Sequence, residues 1–264
     1  MVSDSHDLEP VVRRLRAAGC VFAEDEAALL VAEAGTPGPL EALLARRVRG
    51  EPLEHVLGWV EFCGTRVLVD PHVFVPRQRT AFLVERSAQL AAAHDRPVVV
   101  DLCCGTGAVG AVIADAVPGV ELYASDLDPV AAACARRNLE PRGGQAFVGD
   151  LFAALPDELR ERIDVLAVNA PYVPTEAIAT MPPEARDHER RMALDGGVDG
   201  LDVHRRIAAA ANQWLAPGGS LLIETSTGQA PVATQLFPAS GLEPMTVHAR
   251  NRDATVVIGR RRVA

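Results

Sequence analysis

The chain contains no lysine: all 26 of its basic residues are arginine. That absence excludes a Walker-type phosphate loop, a Schiff-base lysine and a lysine general base. Aromatic residues make up only 4% of the chain, while alanine is abundant, which favours helices packed through small side chains. The five cysteines, Cys20, Cys63, Cys103, Cys104 and Cys134, are odd in number and form no C-x-x-C pair. Neither a disulfide framework nor a zinc site is expected. The seven histidines show no H-x-x-x-H spacing, so no protein-bound metal is expected either. No apolar run approaches the ~20 residues of a membrane span. The opening Met1-Val2-Ser3-Asp4-Ser5-His6-Asp7 lacks the basic start and apolar centre of a secretory signal. A cytoplasmic location is the expectation. The formal net charge of -9 gives no general attraction to a polyanion, so a nucleic-acid partner is not expected beyond what a local basic patch could hold.

What is present divides the 264 residues into three parts. Residues 1–56 read as a small helical domain. Val11, Val12, Leu15 and Ala18, then Ala27, Leu30, Val31 and Ala34, fall at helical spacing, and a further helix runs over 40–48. Such a unit buries little core alone and is expected to dock on the larger C-terminal part of the chain. Residues 57–80 alternate Val60, Phe62, Val67, Val69, Val73 and Val75 around Gly64-Thr65, which predicts a β-hairpin linker. Residues 81–264 alternate strands and helices. Strands are expected at 98–100, 120–124, 146–148, 163–168 and 220–224, helices at 108–116, 129–138 and 203–215, and a closing pair of strands in the tail. This is an α/β pattern with a mainly parallel sheet and helices on both faces. Arg46, Arg47 and Arg49, and the segment from His188 to Arg191, read as solvated surface.

The first candidate site is Asp101-Leu102-Cys103-Cys104-Gly105-Thr106-Gly107, joining the first strand of the large domain to its first helix. Glycines permit a sharp turn and close approach of a ligand, and the helix N-terminus offers unpaired N–H groups. Gly110 completes G-x-G-x-x-G, a pattern compatible with a nicotinamide dinucleotide. Asp126 follows Gly107 by 19 residues at the end of the next strand, where a carboxylate accepts from ribose hydroxyls. Yet an acid, Asp101, ends the first strand, and D-x-x-x-G-x-G resembles motif I of the S-adenosylmethionine methyltransferases. The resemblance gives Asp101 the ammonium end of that cofactor and Asp150, after the third strand, its adenine amino group. Cys103-Cys104 reads as small residues beside the cofactor turn, not as a redox pair.

The second candidate site follows the fourth strand as Asn169-Ala170-Pro171-Tyr172. Here residues 97–229 resemble the release-factor glutamine-N5 methyltransferase family, which carries N-P-P-Y at this place. Further matches are Ala193-Leu194-Asp195-Gly196-Gly197-x-Asp199-Gly200-Leu201, Pro217-Gly218-Gly219, and Glu224 with Gln229. Arg49-Gly50-Glu51-Pro52 and Val75-Pro76-Arg77-x-x-Thr80 match more loosely. The resemblance implies a Rossmann-like class I methyltransferase domain behind a helical domain and a hairpin. It implies S-adenosylmethionine as cofactor, held by Asp101, Cys103, Gly105, Gly107, Asp126, Asp150, Leu151 and Asn169. It assigns the chemistry to Asn169, Ala170, Pro171 and Tyr172, and a glutamine-bearing protein such as a release factor as partner. In that scheme the Asn169 side-chain oxygen and the carbonyl of residue 170 accept the two N–H groups of an amide. Both bonds strengthen as positive charge builds on nitrogen during methyl transfer. Tyr172 offers a flat face to the planar group.

The chain departs from the family at four places: Ala170 replaces the first proline of the tetrapeptide, Arg79 and Ala81 replace an acidic pair around Thr80, and Arg190 replaces a proline. Three alternatives stand beside glutamine methylation: an exocyclic-amine methyltransferase for RNA or DNA, a non-catalytic cofactor-binding paralogue and a nicotinamide oxidoreductase.

Overall fold

A computed structural model describes residues 8–263. The expectation about residues 1–7 lies outside the described residues. Four helices come first: α1 (Glu9–Ala17), α2 (Ala23–Ala34), α3 (Pro37–Val48) and the short α4 (Leu53–Leu57). Gly35, in the left-handed conformation, ends α2, and Pro37 opens α3 where its missing N–H costs nothing. The apolar stripes of these helices meet: Val11, Val12, Leu15, Ala27, Leu30 and Leu44 form their own buried cluster. Arg47 is not solvated. It is 7% exposed and clamps Glu26 at 2.6 Å, and its Nη1 reaches Glu184 at 2.5 Å. That last bond ties the small helical unit to the large one.

The hairpin is shorter than its alternation suggests. Only β1 (Trp59–Phe62) and β2 (Thr65–Leu68) pair. Val69, Val73 and Val75 are buried, but Pro71 and Pro76 interrupt the chain and remove ladder donors. Their alternation marks burial of an extended segment rather than a strand.

The large unit follows as α5 (Ala81–Ala91), β3 (Val98–Leu102), α6 (Ala108–Ala116), β4 (Glu121–Asp126), α7 (Pro129–Leu139), β5 (Gln145–Val148) and β6 (Ile163–Val168). Then come α8 (Pro183–His188), α9 (Asp202–Ala211), β7 (Leu215–Thr225), α10 (Ala230–Leu236), β8 (Leu242–Ala249) and β9 (Ala254–Arg261). The seven-stranded sheet has the order β5-β4-β3-β6-β7-β9-β8. The first five strands are parallel, and β9 runs antiparallel to both β7 and β8. Successive strand residues face opposite sides. Val99, Val165 and Leu222 therefore join the cluster under α5 and α6, while Val100, Leu166 and Ile223 join that of Ile207 and Phe237. Strand order reverses between β3 and β6, and the crevice beyond the carboxyl ends at such a point is where open α/β sheets bind ligands. The glycine turn leaves β3 and the Asn169 tetrapeptide leaves β6, so the topology brings both candidate sites to that crevice. No helix among the described residues is long and apolar enough to cross a membrane.

Candidate active site

The turn after β3 is held by two carboxylates. Asp126, at the end of β4, accepts from the Gly105 N–H at 2.8 Å and the Asp128 N–H at 2.9 Å. Asp101 is 1% exposed and accepts from the Gly110 N–H at 2.9 Å. Burial pushes the Asp101 carboxyl up to about 8, with the nearby Asp126 charge acting the same way. A Cβ at Gly110 would stand 3.3 Å from the Asp101 carboxylate oxygen, so this glycine allows α6 to approach β3. Gly105 and Gly107 have φ of +55° and +75°, where alanine is strained. They differ in surroundings. Gly105 lines a cavity, and a Cβ there would meet nothing within 4 Å; Gly107 is outside the lining and packs against Ala135 of α7.

That cavity is bounded by both candidate sites. Asp101, Cys103, Gly105, Asp126, Asp150, Leu151, Asn169, Ala170, Pro171 and Tyr172 all line it; of the residues expected around the cofactor, only Gly107 does not. Asp150 pairs with Arg206 of α9 at 2.6 Å, and Ser125 donates to the Leu151 carbonyl at 3.4 Å. Desolvation raises the thiols of Cys103 and Cys104 well above their ordinary range. That disfavours thiolate chemistry at either position.

On the β6 side, the Asn169 amide donates to the Thr80 hydroxyl at 3.4 Å. The side-chain oxygen is a separate acceptor. Thr80 is buried, and its hydroxyl is near enough to the Glu224 carboxylate to favour the charged form. Tyr172 donates to the same carboxylate at 3.3 Å. Burial raises Glu224 above the usual carboxylate range and raises the Tyr172 phenol, which the Glu224 charge pushes in the same direction. Thr80 and Glu224 thus connect Asn169 to Tyr172, a role that no sequence spacing reveals because residues 80, 169 and 224 meet only in the fold.

The segment from Ala193 to Leu201 holds the tetrapeptide from outside. Val173 bridges Asp195 as in a parallel pair, and Gln229 donates to the carbonyls of Tyr172 at 2.8 Å and Asp199 at 3.0 Å. A Cβ on Gly200 would lie 2.3 Å from the Tyr172 carbonyl oxygen, so only glycine admits this contact. Of the preceding residues, Arg190 and Arg191 are exposed as their charges suggest, but Glu189 is not. Glu189 is 5% exposed and accepts from Arg77 at 2.7 Å and from the Val75 N–H at 3.1 Å. Arg190 reaches Asp128 at 2.8 Å, beside the cavity it lines. No cluster of three or more potential metal-ligating side chains occurs among the described residues.

The family model described as "Methyltransferase small domain" matches residues 68–182. The chain is similar to the "Release factor glutamine methyltransferase" of Geobacter sulfurreducens, 39% identical over 201 residues, 75% of this chain and 69% of the relative. It is also similar to the "4-amino-L-phenylalanine/4-methylamino-L-phenylalanine methyltransferase" of Streptomyces pristinaespiralis, 35% identical over 222 residues, 78% of this chain and 75% of the relative. Among solved structures, a methyltransferase from Pyrococcus furiosus shares the fold with a TM-score of 0.55 and 14% identity, over 76% of this chain and 91% of that one. With the glycine turn and the Asn169 tetrapeptide facing one cavity, and with a relative of that similarity and coverage, the chain belongs to the release factor glutamine methyltransferase family.

Proposed function

We propose that this enzyme methylates the side-chain amide nitrogen (N5) of a glutamine in a protein, with S-adenosylmethionine as methyl donor and a release factor as a candidate target. The observation that carries the reading is the position of Asn169 at the wall of the cavity, with its amide nitrogen 3.4 Å from the Thr80 hydroxyl and its side-chain oxygen an acceptor. The Ala170 carbonyl is the second acceptor in this reading, and alanine keeps it while Pro171 keeps residue 170 biased toward extended geometry. An amide nitrogen is a weak nucleophile because its lone pair is delocalised. Two acceptors on its N–H groups orient it, and their pull grows as positive charge develops. Tyr172, held by Glu224 and Gln229, stacks on the planar acceptor.

The residues at the turn suit the donor. Asp101, Asp126 and Asp150 place carboxylates around the cavity, matched in this reading to an ammonium group, ribose hydroxyls and an adenine amino group. The open space over Gly105 admits a ligand against bare backbone. Cys103 and Leu151 supply apolar walls. When bound, S-adenosylmethionine brings a methyl group already activated by a sulfonium, so the protein supplies mainly orientation and charge complementarity. We read residues 1–56 as a helical domain, 57–80 as a linker and 81–264 as the catalytic domain; the separate apolar cluster of the first helices supports this. We place the enzyme in the cytoplasm with its protein substrate.

A second reading, methylation of an aromatic amine on a small amino acid, is favoured by the Streptomyces pristinaespiralis relative. An RNA or DNA amine has only the general suitability of an Asn-and-Tyr site behind it. Calorimetry with S-adenosylmethionine and with NADH, followed by mass spectrometry of a glutamine peptide, tests the proposal. The expected result is binding of the first only and one added methyl on the glutamine side chain. NADH binding without S-adenosylmethionine binding would overturn it, as would donor binding without methyl transfer to any acceptor.

A further inference from the structure

We propose that Arg79 selects acceptors carrying a carboxylate close to the nitrogen that is methylated. The inference rests on the reading of the Asn169 side of the cavity as the acceptor side. Charge in the cavity is divided. Asp101, Asp126, Asp128 and Asp150 line it beyond β3, β4 and β5, and the two arginines there, Arg190 and Arg206, are taken up by Asp128 at 2.8 Å and Asp150 at 2.6 Å. On the Asn169 side, Arg77 and Arg79 line it, while their partners Glu189 and Glu224 are buried behind them and do not. Arg77 is engaged with Glu189 at 2.7 Å. Arg79 is held more loosely. Its Nε lies 3.5 Å from Glu224, its guanidinium stands 5.7 Å over the Tyr172 ring, and the side chain is 45% exposed. Among the described residues, its two terminal nitrogens have no hydrogen-bond partner, so the forked edge that binds a carboxylate bidentately is available.

Position gives this edge a purpose. Arg79 is the residue shared by the reaction cavity and a neighbouring surface groove formed with Gln78, Ala81, Glu85 and Arg252. Whatever extends from the acceptor nitrogen toward that groove passes over the guanidinium. A cation on the acceptor side stands out in a chain whose net charge is -9. A carboxylate beside the acceptor nitrogen is the group that its forked edge suits. It has two sources: the side chain of an acidic residue next to the glutamine in a polypeptide, or the α-carboxylate of an aminoaryl amino acid.

The test compares two matched pairs of acceptors with wild type, Arg79→Gln and Arg79→Glu. One pair is end-blocked glutamine peptides with aspartate or asparagine beside the glutamine. The other is 4-amino-L-phenylalanine and its carboxamide. Affinity is measured by calorimetry with S-adenosylhomocysteine present, and kcat and KM by methyl incorporation. The carboxylate member of one pair should bind about tenfold more tightly to wild type, in the range of a charge-assisted bidentate contact. Arg79→Gln should bring the pair to parity through KM, with any change in kcat shared by both members, and Arg79→Glu should reverse the order. The pair that shows the effect identifies the source. A purely structural arginine would instead lower kcat and melting temperature alike for every acceptor. Parity in wild type for both pairs, or a preference that survives Arg79→Glu, overturns the inference. Methyl transfer with parity leaves the proposed function intact; a carboxylate preference in binding without any methyl transfer sustains the inference and defeats that function.

Discussion

Gly105 and Gly107 stand two residues apart in the same turn, yet substitution should affect them in opposite ways. Both have a left-handed backbone, where alanine costs about 1–2 kcal/mol. At Gly105 nothing further is lost, because a Cβ meets no atom within 4 Å. At Gly107 the new methyl would lie 3.1 Å from the Ala135 Cβ and 3.2 Å from its Cα. The second contact is backbone, so α6 and α7 must separate, and overpacking of this kind adds roughly 1–3 kcal/mol. Gly105→Ala should therefore lose about 1–2 kcal/mol and Gly107→Ala about 2–5 kcal/mol. At about 2–4 °C per kcal/mol for a chain of this size, Tm falls by about 2–8 °C and about 4–20 °C respectively. Donor binding should run the other way. The methyl of Gly105→Ala projects into the cavity, and S-adenosylhomocysteine should bind at least about tenfold more weakly, or 1.4 kcal/mol. Gly107→Ala, measured below its Tm, should keep affinity within about threefold, which is under 1 kcal/mol. Thermal unfolding without ligand and calorimetry with it give the four numbers. Normal affinity in Gly105→Ala would mean the donor does not lie over this turn. A Gly107→Ala protein of wild-type stability with lost affinity would reject the packing role.

Asp101 predicts a pH dependence. Its folded pKa of about 8 lies above the unfolded value of about 3.9, so the folded state retains a proton that the unfolded chain releases. The contribution of Asp101 to stability is full below about pH 4 and is lost as pH rises through about 8. Asp101→Asn should flatten that fall, read as urea midpoints at pH 5 and 8; parallel slopes would reject it. Ala170→Pro should leave turnover unchanged or raise it, because the proposed chemistry uses only the carbonyl of residue 170 and the loop loses freedom. A drop beyond about tenfold, 1.4 kcal/mol in the barrier, would show that the loop needs another shape.

Much of this architecture is legible in local sequence. The helix at 108–116 and the strand at 163–168 are found where their patterns place them, since each is bounded by strong turn or polar signals. Local pattern fails where structure is set from a distance. Val69, Val73 and Val75 alternate as in a strand but pack as irregular chain. Leu215 ends the helix expected from its spacing, yet it opens β7, which continues through Pro217-Gly218-Gly219 to Thr225. Arg47 and Glu189 read as surface because their partners Glu184 and Arg77 lie 137 and 112 residues away in the chain. The same limit applies to the site. The glycine turn, Asp126 and the Asn169 tetrapeptide declare themselves by spacing, whereas the Thr80–Glu224 support of Asn169 and Tyr172 exists only after the sheet has formed.

The most direct test of the proposed chemistry is the single-turnover rate of Asn169→Ala on a glutamine acceptor at saturating S-adenosylmethionine, with calorimetric donor binding measured in parallel. Loss of one preorganised acceptor that strengthens in the transition state should slow methyl transfer by roughly a hundredfold or more. Donor affinity should stay within about threefold, under 1 kcal/mol, because the Asn169 oxygen is directed to the acceptor nitrogen. Asn169→Asp keeps an acceptor but must desolvate a charge, so its rate should fall between alanine and wild type. A wild-type rate in Asn169→Ala would contradict the amide-acceptor mechanism and reduce the tetrapeptide to a structural turn.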